Sequence, residues 1–307
     1  TAAGAFNAQV GGDWTATAAF APTSGLVRFD APVAQAVSNS GAFFAVEVAG
    51  PGTATFVSLT VADDFTTSGG ATVVDAAKTL VINGDAVFAG GQISCGDVTA
   101  KFDVAGDVDF QGATAGLLVL DAGRDLTTDA AFAPTGGTVT LDGAGARTVD
   151  GPGVFASVVV SGSSITANGL HATGPVVVNG GLTAGAALDL DDDFTVAAPA
   201  TFDDGSFTHC VGGDVVWLGT LTLSGVLKLD GAGATTVQKS GALASVQVAK
   251  TGGGTVAFGA NCQIAGSFDV QTGAATAGIL DVDGPATVAA AGSLTTTGTA
   301  TFSGDLT

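Results

Sequence analysis

The sequence predicts an all-β protein wound as a right-handed parallel β-helix, a solenoid with coils of about 22 residues. Three observations lead there. Residues 137–160 (GTVTLDGAGARTVDGPGVFASVVV) and 225–248 (GVLKLDGAGATTVQKSGALASVQV) agree at 14 of 24 positions without a gap, and a more diverged copy fills 25–48. A shorter period is nested inside: TLVINGDAVF at 79–88 realigns with KFDVAGDVDF at 101–110, an offset of 22. Throughout, apolar residues alternate with polar ones in short runs broken by Gly, Asp and Asn, the pattern of half-buried strands joined by tight turns.

The two periods fit one winding. DWTATAAFAPTSG at 13–25 matches DLTTDAAFAPTGG at 125–137, so long repeats begin near 13, 125 and 213, at spacings of 112 and 88. These units read as five and four coils, because solenoids gain and lose whole turns. Within the short period Leu80 aligns with Phe102, Ile82 with Val104, Gly84-Asp85 with Gly106-Asp107 and Phe88 with Phe110. A coil of this size closes with three strands and three corners, and successive coils pair in parallel about 4.8 Å apart. Roughly fourteen rungs make a rod on the order of 65 Å long. Gly recurs too often for a stable helix, and no long stripe of period 3.6 is present. The whole chain, 1–307, is expected to be one solenoid, with an array of small β-sandwiches as the competing architecture.

Composition sets the function classes. Hydrophobic residues are 46%, enough for a core, while charged residues are only 12%. The 28 acidic and 8 basic residues give a formal charge of −20, which repels phosphate backbones and anionic membranes and argues against nucleic acid as a partner. No apolar run is long enough to suggest a membrane-spanning helix. Met is absent and the chain starts at Thr1, which reads as the processed end of a secreted, cell-surface product. Cys95, Cys210 and Cys262 are too few and too scattered for a disulfide framework or a four-ligand zinc site, and small buried hydrophobes describe them better.

Residues able to carry chemistry are sparse. His171 and His209 are the only imidazoles, and their spacing of 38 is no multiple of 22, which places them on different faces. In FTHCVGG, His209 and Cys210 are neighbours on a strand and point to opposite sides. Asp191, Asp192, Asp193, Asp203 and Asp204 form the densest carboxylate clusters and are the candidate Ca²⁺ ligands, since hard oxygens suit that ion. Solvated turns that discourage sideways aggregation are the competing account of them. The eight basic residues never cluster, Tyr is absent, and Trp14 and Trp217 stand alone. A lyase centre or an aromatic sugar platform is therefore not expected, and the 18 Phe are assigned to the core. No enzyme activity and no organic cofactor are expected.

The runs LDGAGARTV and LDGAGATTV, each followed by an aliphatic strand, resemble the repeats of bacterial cell-surface β-helix proteins of the filamentous-haemagglutinin-like and autotransporter-adhesin-like groups. Many such repeats carry Gln where Arg147 and Thr235 stand here, and the first copy has APVA in place of GAGA. The resemblance implies the β-helix fold and a surface location, and transfers no site residues. The chain begins and stops in repeat-like sequence, which suggests that the last rung of one copy meets the first rung of the next. The expected role is an extracellular structural subunit of a fibre or surface layer. The alternative is an adhesin stalk contacting a polysaccharide or host ligand.

Overall fold

The computed structural model of the chain describes residues 4–18 and 20–307. Thr1, read above as a processed end, and Ala19 of the first long repeat lie outside the described residues. Every regular element described is a β-strand and the strands pair in parallel, so the protein is a β-solenoid. It divides into two compact units, residues 1–157 and 158–307.

In the middle of the first unit each coil supplies a short strand to each of three sheets. Thr79–Ile82, Ala86–Phe88 and Gln92–Cys95 form one coil. Lys101–Val104, Val108–Phe110 and Thr114–Ala115 form the next. The residues aligned by sequence are the ladder partners: Leu80↔Phe102, Ile82↔Val104 and Phe88↔Phe110. Coil length is less uniform than the expected 22. Carboxylate bonds between neighbouring coils span 18, 21, 22 and 23 residues at different levels. The ladder keeps the strands in register, so the difference is taken up at the corners, as in the long excursion between Leu126–Thr127 and Val139–Leu141.

The second unit stacks in the same way. Val158–Val160, Val176–Val178, Phe194–Val196 and Val215–Trp217 follow one another in one sheet. On another face Ile165, Leu182, Phe202 and Leu221 are successive partners. Near the end of the unit, Phe268–Ala277 and Ala286–Thr296 run through a corner as single long strands, with a register shift between Val270 and Thr272. The irregularity bends the strand so that it serves two faces.

Inward side chains stack on their own kind. In the first unit a Phe column runs through Phe29, Phe56, Phe65, Phe88, Phe110, Phe132 and Phe155, with neighbouring rings 4.5–6.3 Å apart. Those separations fall in the favourable range for aromatic pairs. Trp14 packs on Phe6, Phe20 and Phe43, and Trp217 on Phe194 and Phe202, so neither indole stands alone.

The glycine that opens each copy of the 24-residue repeat has a steric cause. A Cβ on Gly25, Gly137 or Gly225 would lie 2.1, 2.0 or 1.9 Å from the carbonyl oxygen of Phe6, Leu118 or Phe207 in the preceding coil. Gly25 and Gly137 also have positive φ, 106° and 94°. Only glycine lets the chain turn that close to the rung beneath it.

Candidate functional site

Four aspartates, two of them from the repeated Gly-Asp pairs, build a ladder at one corner of the first unit. Asp85 N–H donates to Asp64 Oδ1 (3.0 Å), Asp107 N–H to Asp85 Oδ1 (2.9 Å) and Asp125 N–H to Asp107 Oδ1 (3.2 Å). Thr148 N–H closes the series on Asp125 Oδ1 at 2.8 Å. Each carboxylate thus caps the main chain of the following coil. Before Asp85 and Asp107 the backbone and carboxylate of the preceding coil together leave no room for a side chain: a Cβ on Gly106 would meet the Gly84 carbonyl oxygen at 2.3 Å and Asp85 Oδ1 at 2.4 Å. The second unit repeats the device, with Asp214 N–H on Asp193 Oδ1 and Thr236 N–H on Asp214 Oδ1, both at 2.7 Å.

The five aspartates read as Ca²⁺ ligands are used separately. Asp193 belongs to the ladder just described. Asp191 faces His171, Oδ2 to Nε2 3.6 Å, with Asp191 exposed and His171 half-buried. Asp192 is half-buried in the corner between them. Asp203 Oδ1 accepts the Gly205 N–H at 3.1 Å. Asp204 is 3% exposed, and both its oxygens take protein donors: Ser224 N–H, Gly225 N–H, Ser206 N–H and the Ser224 hydroxyl, at 2.8–3.2 Å. Among the described residues no three carboxylate, imidazole or thiol groups come together in a way that could hold a metal ion.

The two histidines come from one sheet, because the strands His171–Ala172, Asp189–Leu190 and Thr208–Val211 are consecutive neighbours. The spacing of 38 misled because these coils are shorter than 22. His171 points outward and His209 inward. As expected, Cys210 points the opposite way from His209. His209 is buried, with Nδ1 accepting the Leu188 N–H (3.1 Å) and Nε2–H donating to the Asp204 carbonyl (2.8 Å). Burial lowers its pKa, so the ring is the neutral Nε2–H tautomer. It braces a corner and leaves no nitrogen for a ligand.

One feature was not legible in the sequence, the burial of Lys250. Lys250 stands where the other repeat copies have Gly50 and Gly162. It is 1% exposed, and its Nζ donates to Thr235 Oγ1 (2.7 Å) and to the Gly212 carbonyl (3.3 Å). Burial lowers its pKa, opposed by the charges of Asp230 and Asp214. The cysteines are free thiols, Cys95 and Cys262 buried and Cys210 half-buried. Burial pushes Cys210 and Cys262 up to about 11, so neither is a nucleophile at neutral pH.

The other conspicuous surface is a pair of sheet edges. Ala286–Thr296 pairs on one side with Phe268–Ala277, while only its first residues are met on the other side, by Leu306 and Thr307. Beyond Val288 that second side has no partner among the described residues. Among the described residues Ala300–Phe302 likewise pairs only with Ile279–Val282. In the first unit, Ala8–Val10 and Trp14–Ala16 each have one neighbouring strand among the described residues. Charge is missing from these segments. From Gly4 to Val27 the only charged residue is Asp13, and 286–304 contains none.

No protein family, no curated protein and no solved structure matches the chain.

Proposed function

We propose that the protein is an extracellular structural subunit of a fibre or surface layer, assembled by end-on stacking of solenoids. The observation that carries this reading is the parallel rung-on-rung pairing of the coils, joined to two segments, 4–27 and 286–304, that hold a single charged residue between them. A strand edge presents a row of unsatisfied N–H and C=O groups, and monomeric proteins commonly guard such edges with Lys, Pro or inward-pointing charges. Of the 28 acidic residues only Asp13 falls within 4–27 and none within 286–304, so copies would meet least electrostatic repulsion where these segments face one another. A head-to-tail contact of this type does not close and propagates as a filament. The likeness of LDGAGARTV to surface β-helix repeats supports the extracellular assignment.

Electron microscopy of the native protein at physiological salt, with and without Ca²⁺, tests the reading. Unbranched filaments with an axial repeat of about 65 Å, as the rung spacing requires, are the expected result. Dispersed single particles at high concentration would overturn it.

A further inference from the structure

Three Asn-Gly pairs occur in the chain, Asn83-Gly84, Asn168-Gly169 and Asn179-Gly180, and all three asparagines are exposed. Asn-Gly is the dipeptide most open to spontaneous ring closure, because glycine has no Cβ to obstruct attack by its own nitrogen on the preceding side chain. The reaction also needs that nitrogen free of other bonds and open space around the glycine. The three sites differ on both counts.

Gly84 N–H is bonded to the Asp63 carbonyl at 3.0 Å, and Gly180 N–H to the Val160 carbonyl at 3.1 Å. Both glycines are also pressed against the preceding coil. A Cβ on Gly84 would lie 2.5 Å from the Asp63 carbonyl carbon, and one on Gly180 would lie 2.0 Å from the Gly162 oxygen. Gly169 is different. Its N–H has no acceptor among the described residues, and nothing lies within 4 Å of the position a Cβ would take. Its φ is +93°, at the corner that ends the strand Ser164–Asn168.

From these differences we propose that Asn168 is a site of spontaneous modification in the folded protein. The Gly169 nitrogen attacks Asn168 Cγ, a C–N bond forms, and the side-chain nitrogen leaves as ammonia with the proton that Gly169 gives up. The resulting succinimide takes up water and opens at either carbonyl. One opening gives aspartate, and the other gives isoaspartate, in which the main chain runs through the former side chain. No oxidant or cofactor takes part. Either product adds a negative charge to a chain already at −20. Isoaspartate also lengthens the corner by one methylene beside Gly185, where the Asn168 side chain now packs, its Oδ1 being 1.9 Å from the point a Gly185 Cβ would occupy.

The test is to hold the folded protein in mildly alkaline buffer, sample it over time, and map acid and isoaspartyl products by peptide mass analysis. A chain kept unfolded in denaturant serves as the reference, in which all three sites are open. The expected result is that position 168 converts several-fold faster than 83 or 179 in the folded protein, while the three converge in the unfolded chain. Equal rates at the three sites in the folded protein would overturn the proposal. So would an unchanged position 168 while the unfolded chain reacts. In the Asn168→Gln variant the early acidic species seen on ion exchange should disappear, and its persistence would count equally against the assignment.

Discussion

Asp85 joins three coils: its N–H rests on Asp64 and its Oδ1 receives the Asp107 N–H. Replacing it with alanine leaves the first bond and removes the second. The corner is solvated, so Asp85→Ala should cost about 1 kcal/mol, the net worth of such a bond, and Asp85→Asn should recover much of it. Denaturant unfolding midpoints of the two variants check this, and equal losses in both would remove the capping role. His209 supplies a second expectation at this scale. Its folded pKa lies below the ordinary 6.5, so below that pH the unfolded chain binds more protons than the folded one. Stability contributed by the neutral ring is therefore present above 6.5 and lost as pH falls towards the folded value. Melting curves taken stepwise below pH 6.5 should show a slope that His209→Gln lacks. The same slope in both proteins would show that another group is responsible.

Among the elements, the Phe column has the clearest energetic role. Phe88 touches Phe65, Phe102 and Phe110 at ring separations of 6.3, 5.9 and 4.7 Å and is fully buried. Truncating it leaves a void that neighbouring rungs, pinned by their ladders, cannot close. Phe88→Ala should cost about 3–5 kcal/mol, the range for large-to-small changes in well-packed cores. Calorimetry of the variant measures it, and a loss near 1 kcal/mol would mean that the coils relax around the gap. This column is also where the sequence was most readable. Leu80, Ile82 and Phe88 found their partners Phe102, Val104 and Phe110 from periodicity alone, because an inward position sees the same position one coil away. Corners were less readable, since their length is free to vary. A constant 22 therefore misjudged the placement of His171 relative to His209. The Gly-Asp pair was visible as a repeat, but the bond its carboxylate makes was not, since a carboxylate reaching across coils leaves no mark on local propensity.

At the scale of the whole molecule, the fold class followed from repetition, because a rung that cannot bury its apolar face alone must stack on another like it. The candidate Ca²⁺ carboxylates followed from composition, which records how many acids occur in a stretch and not which donors each of them meets. Asp204, hidden and bonded on both oxygens, and Asp191, exposed beside His171, look alike in sequence. The same local bookkeeping governs how the protein would respond to being pulled. Each coil is held by its immediate neighbours, through hydrogen bonds between residues some 18 to 23 positions apart. Tension applied to the chain would therefore find no single lock to break. It would unspool one turn at a time, each released turn of about 20 residues yielding roughly 70 Å of extended chain, so that the protein would act under load as a reel with many equal stops.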